Sequence, residues 1–63
     1  MDIGKKFLEF RAKYNLTQTE LGNILGVNYN TVYRLENGFN APTKVNYIRY
    51  ETKMKEWEEK QNG

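Results

Sequence analysis

Apolar side chains recur along this sequence at spacings of three and four residues, in four runs separated by polar or glycine-bearing breaks, the pattern of amphipathic helices. Ile3, Phe7, Phe10 and Tyr14 form the first stripe, widened by Leu8, and Asn15 interrupts it, so a helix is predicted from about Asp2 to Tyr14. Thr17-Gln18-Thr19-Glu20 is a Thr-x-x-Glu capping box, in which the threonine oxygen accepts a free backbone N–H and the glutamate reaches back to another. It opens a second helix with Leu21, Ile24 and Leu25 as its buried face and Gly26 at its end, where a left-handed residue costs least. Asn28 is a good N-cap for a third helix, with Val32 and Leu35 inward and Asn37-Gly38 closing it. The single proline, Pro42, follows closely. Beyond it, a fourth helix from about Thr43 to Lys60 carries Tyr47, Tyr50, Met54 and Trp57 in one stripe, with Val45 and Ile48 beside it.

These runs predict an all-α fold. It is a small bundle of about four helices in one domain over residues 1–63, with a helix-turn-helix at about 17–37 and a long C-terminal helix at about 43–60. No internal repeat, low-complexity stretch or linker divides the chain. At 63 residues, such a domain buries only about 60% of the surface its unfolded chain exposes, so its stability is marginal. With no cysteine, no disulfide adds to it. Aromatic residues make up 14% of an otherwise polar chain and must supply much of its core or of an interface.

Composition removes several classes of chemistry. Without histidine or cysteine, a metal would have carboxylates alone, a poor ligand set for zinc. There is no serine and no glycine-rich phosphate loop, and the acids are scattered over helix-surface positions. Neither catalysis nor a cofactor is expected, nor a spare domain to hold a small-molecule ligand. No apolar run approaches the roughly 20 residues of a membrane span. Met1-Asp2-Ile3-Gly4-Lys5 lacks the apolar stretch of a signal peptide. A cytoplasmic, nucleoid-associated protein is therefore expected. The net charge is +2, but residues 1–50 carry +3 and residues 51–63 carry −1. The basic excess sits in the front part, as an anionic partner would require. Lys5, Lys6 and Lys13 are expected to form a solvated face, with Lys6 or Lys13 able to approach phosphate.

The outward side of the third helix carries the most distinctive chemistry. At about 100° per residue, Tyr29, Asn30, Tyr33, Arg34 and Asn37 fall within roughly a 140° arc, away from Val32 and Leu35. Asparagine can bond adenine bidentately, arginine can do so with guanine, and a tyrosine ring can lie against a thymine methyl. The arc holds no carboxylate, and Glu36 falls outside it.

From Arg11 to Pro42 the chain resembles the phage-repressor/Cro-type (XRE-like) helix-turn-helix family. The likeness rests on Leu16-Thr17-Gln18-Thr19-Glu20-Leu21-Gly22, Leu25-Gly26-Val27, Thr31-Val32-Tyr33-Arg34-Leu35-Glu36-Asn37-Gly38 and Ala41-Pro42. The resemblance implies a lambda-repressor-like fold and roles for single residues. Tyr29, Asn30, Tyr33 and Arg34 stand at base-reading positions. Gln18, Asn28, Thr31, Asn37, Phe39, Asn40 and Lys44 are the phosphate set, the Gly38-Phe39-Asn40 loop acting through its amides. Arg11 pairs with Glu36, a structural tie between the first and third helices. The chain departs from the family pattern at Gly22, where alanine is usual, and in having one long helix after the proline where two are usual.

Two uses of the stripe Tyr47, Tyr50, Met54 and Trp57 stay open: it closes the core on the first helix, or it forms a dimer interface at coiled-coil spacing. With Val45 and Ile48 inward and the Trp57 end exposed, both hold together. A dimer interface is the use expected, because a helix of some 18 residues spans about 27 Å, more than so small a core covers. The expected function is that of a sequence-specific transcription regulator, a repressor of bacterial, phage or mobile-element origin, acting as a homodimer on double-stranded DNA. The alternatives are a protein-binding adaptor (anti-repressor or polymerase-binding) and an antitoxin built on the same fold.

Overall fold

A computed structural model describes residues 2–62; the two ends of the expected 1–63 domain lie outside them. Four helices follow one another: α1 (Ile3–Tyr14), α2 (Gln18–Leu25), α3 (Tyr29–Glu36) and α4 (Lys44–Asn62), with no strand among the described residues. Each begins at the side chain that can satisfy its free amides. The Asp2 carboxylate accepts from the Gly4 N–H at 3.0 Å. The Thr17 hydroxyl accepts from the Glu20 N–H at 3.0 Å while the Glu20 carboxylate accepts from the Thr17 N–H at 2.8 Å. Asn28 accepts from the Asn30 N–H at 2.8 Å, and Thr43 accepts from that of Asn46 at 3.2 Å. Such caps are worth about 1 kcal/mol each, a large share of what holds so small a domain together.

The first three helices also end alike. Asn15, Gly26 and Gly38 take positive φ (56°, 78° and 73°). In each case the next residue donates its N–H to a carbonyl five positions back: Leu16 to Arg11, Val27 to Gly22 and Phe39 to Arg34, all at 2.9 Å. This closure satisfies carbonyls that the helix itself leaves free, and it is normally completed by an apolar contact from the residue that donates.

Every helix contributes to one core. Ile3 and Phe7 of α1, Leu21 and Leu25 of α2, Val32 and Leu35 of α3, and Tyr50 and Met54 of α4 are buried, with Phe10, Val27 and Tyr47 packed against them. Ile24, expected in the core, is only half-buried. Backbone proximity matters as much as side chains. Gly4 lies so close to α3 that a Cβ there would sit 2.3 Å from the Leu35 carbonyl oxygen, and a Cβ on Gly22 would sit 2.7 Å from that of Val27. The Gly22 position thus uses the missing methyl to let the turn after α2 fold back tightly.

α4 runs beside α1 in the same direction, as the rising pairs show: Lys6 with Glu51, Phe7 with Tyr50, Phe10 with Trp57, and Lys13 and Tyr14 with Glu58. This corrects three expectations. The stripe assigned to a dimer interface faces inward: Tyr50 and Met54 are buried, and Tyr47 and Trp57 are half-buried. Trp57 stacks edge-on against Phe10 and Tyr14, with ring centroids 5.6 and 5.0 Å away. Val45 and Ile48, expected inward, are 68% and 53% exposed. The reason is area: large rings each bury some 150–250 Å², so the aromatic stripe displaces the smaller pair from the α1 face. Leu8, expected to widen the α1 stripe, is exposed as well. At about 100° per residue it stands on the flank of α1 opposite Lys6 and Lys13, which mark the side that α4 covers.

Candidate nucleic-acid interface

α3 has eight residues, too few to persist alone in water. It is held by Val32, fully buried, and Leu35, nearly so, which fixes the opposite side outward. Tyr29, Asn30, Tyr33 and Arg34 are all exposed. Their spacing divides the outward face in two. At about 100° per residue, Tyr29 and Tyr33 lie along one edge and Asn30 and Arg34 along the other.

Glu36 is the one acid of α3, and its side chain is only 4% exposed. Its carboxylate accepts three hydrogen bonds: from Nε and Nη2 of Arg11, both at 2.8 Å, and from Nε2 of Gln18 at 3.0 Å. Arg11 also donates Nη1 to the Leu16 carbonyl at 3.2 Å. A forked arginine–carboxylate pair of this kind is among the stronger polar contacts a protein makes. It holds the Arg11 guanidinium above its ordinary value, chiefly through the hydrogen bond to Glu36. The pair thus ties α1 to α3, as the resemblance implied. It also withdraws the negative charge from the outward face.

The phosphate set divides. Lys44, at the start of α4, and Asn40 are exposed, and Thr31 is half-buried. Asn28 spends its oxygen on the Asn30 amide and keeps its own amide hydrogens. Three members are engaged otherwise than expected. Gln18 is turned onto Glu36, because that carboxylate has room for a third donor; one hydrogen of its amide remains. Asn37 donates its side-chain amide to the Tyr33 carbonyl at 2.8 Å. Two of the three loop amides expected to hold phosphate are used within the chain, that of Phe39 bonding the Arg34 carbonyl and that of Gly38 bonding the Leu35 carbonyl at 3.3 Å. Phe39 instead presents its ring, edge-on to Tyr33 at 6.1 Å between centroids. That ring is the site feature missed from the sequence, although its signal was there: an aromatic residue directly after the glycine that ends α3. On α1, Lys6 and Lys13 are engaged by Glu51 and Glu58, so the basic residues near α3 without an acid partner among the described residues are Arg34 on α3 and Lys44 beyond it.

A helix-turn-helix family model matches residues 8–55, which takes in most of α1, all of α2 and α3, and nearly two thirds of α4. The chain belongs to the XRE-like helix-turn-helix family. It is a DNA-binding transcription regulator of that type. No curated protein and no solved structure matches it. Within the family pattern, α4 takes the place of the usual two helices after the proline as one continuous helix of 19 residues. No helix among the described residues is long and apolar enough to cross a membrane.

Proposed function

We propose that this regulator is a sequence-specific repressor of bacterial, phage or mobile-element origin that lays α3 in the major groove of operator DNA. The observation that carries the reading is the outward face of α3, which is exposed and free of acid because Arg11 and Gln18 hold Glu36 inside. Arg34 reads guanine and Asn30 reads adenine, each through two hydrogen bonds to the base edge. Tyr29 and Tyr33 lie against neighbouring bases. Lys44, Asn40, Thr31, the Asn28 amide and the remaining Gln18 hydrogen set register on the phosphates, which carry no sequence information themselves. The protein acts as a homodimer in the cytoplasm, on half-sites about 34 Å apart. Since the Tyr47 stripe serves the core, the second copy meets the outer side of α4 at Val45 and Ile48.

Selection from random duplex DNA tests this. A palindromic site of two half-sites is expected, bound steeply less tightly at 200 mM than at 50 mM salt. No enrichment of any sequence would end the proposal, and enrichment of a single half-site would end the homodimer. A second reading is favoured by one observation, the exposed aromatic edge of α3, which suits a protein-binding adaptor. Such a contact would hold its affinity as salt rises.

A further inference from the structure

Three helices of this protein end in the same left-handed turn, and after each turn stands an apolar residue: Leu16, Val27 and Phe39. Leu16 and Val27 are half-buried, and Val27 packs on the core. Phe39 does neither. It is 65% exposed and rests edge-on against Tyr33, which is itself 44% exposed, while Tyr29, one turn back on the same edge, is 55% exposed. The contact with Tyr33 completes the helix end but covers little of either ring. The result is a row of three rings along one edge of α3, parallel to the row of Asn30 and Arg34.

We infer that this aromatic row reads the 5-methyl groups of thymine. The inference rests on α3 being the major-groove helix. In that groove thymine alone presents an apolar group, the C5 methyl, among hydrogen-bonding edges. A row of rings beside a row of amide and guanidinium groups matches a groove in which methyls stand beside purine acceptors. The charge argues for DNA over a protein as the occupant. Arg34 flanks the row, and the helix's one acid is sequestered, an arrangement suited to a polyanion. The operator half-site therefore carries thymines next to the base pairs read by Asn30 and Arg34, and Phe39 acts as a specificity residue through its ring.

The test uses the full chain and the duplex recovered by selection, with each thymine replaced in turn by deoxyuridine. This change removes the methyl and leaves every hydrogen-bonding group. Affinity is expected to fall about fourfold per methyl read, the fold-change that corresponds to ~0.8 kcal/mol for one buried carbon at about 1.4 kcal/mol per tenfold. In Phe39→Ala and Tyr33→Ala the ratio between thymine and deoxyuridine duplexes should approach one, whereas Arg34→Ala should keep it. The ratio is taken within each variant, so a change in folded fraction cancels. Tight binding that ignores deoxyuridine at every position overturns the inference while leaving the major-groove reading in place; a Phe39→Ala variant that binds such DNA normally gives the row to a protein partner. Failure to bind any duplex removes the major-groove reading and the inference together.

Discussion

Replacing Gly4 by alanine puts a number on how closely α1 and α3 meet. The added Cβ would lie 2.3 Å from the Leu35 carbonyl oxygen, 3.0 Å from Glu36 Cα and 3.1 Å from the Leu35 carbonyl carbon. All three are backbone atoms of α3 and cannot swing aside as a side chain would. Carbon and oxygen settle into contact at about 3.3–3.6 Å, so α1 must retreat by roughly 1 Å over its first turn. Overpacking of this kind costs about 1–3 kcal/mol. Alanine returns up to ~1 kcal/mol of helix propensity in a helix interior, and less at position 4, the second residue of α1. The net loss is about 1–2 kcal/mol, against a total stability of about 3–9 kcal/mol for a chain of this size. At some 4–8 °C per kcal/mol for small domains, Tm should fall by roughly 5–15 °C. Thermal melts followed by circular dichroism measure this, with the exposed Lys5→Ala as a control that keeps its Tm. A Gly4→Ala protein melting at or above the wild-type temperature would refute the close packing of these two helices.

Three further outcomes follow from the same contacts. Arg11→Met leaves the Glu36 carboxylate inside with Gln18 as its remaining side-chain donor; urea unfolding should report a loss of about 2–3 kcal/mol, below the value for a fully buried pair because Arg11 keeps some solvent, and Arg11→Met with Glu36→Leu should recover most of it. Arg34→Ala should cost ~1–3 kcal/mol of DNA affinity and relax one base pair of the selected site; an unchanged selected sequence would take Arg34 out of the reading set. Fluorescence of Trp57, the single tryptophan, should follow the Lys13–Glu58–Tyr14 cluster beside it as pH changes. Lys13 and then Tyr14 hold the Glu58 carboxyl below its ordinary value, so the folded state gives up that proton first. Its contribution is complete above the usual glutamate range and disappears as pH falls through the depressed value. Tyr14 is raised, chiefly by its hydrogen bond to Glu58, so its contribution is complete below the usual tyrosine range and disappears as pH rises through the raised value. Glu58→Gln should remove the acid-side change, and a variant whose acid transition is that of the wild type would contradict the assignment.

Two helix starts were legible because caps are local: Thr17 and Asn28 sit within three residues of the amides they serve. The ends at Gly26 and Gly38 were legible for the same reason. The Arg11–Glu36 pair came through the family resemblance, since nothing local connects residues 25 positions apart. Packing was less readable. On α4 two apolar stripes run side by side, and choosing between them requires the rings of α1 that face one of them. Gly4 carries no side chain for a periodicity to detect, so its approach to α3 left no mark on the pattern. Gln18 was read by type as a donor, but which acceptor it meets is decided by Glu36, on another helix. For Phe39 the family resemblance points to the amide alone, whereas the left-handed Gly38 that closes α3 turns the ring outward.

If α3 is the helix that enters the groove, as proposed, its shortness couples base recognition to folding. Eight residues do not hold a helical shape by themselves, so the arc bearing Asn30 and Arg34 exists only while Val32 and Leu35 remain docked. Such a reader has no partly melted form that still discriminates. As temperature rises, DNA occupancy should track the population of intact molecules, and warming would release the DNA by the same transition that a calorimeter records as the loss of the core.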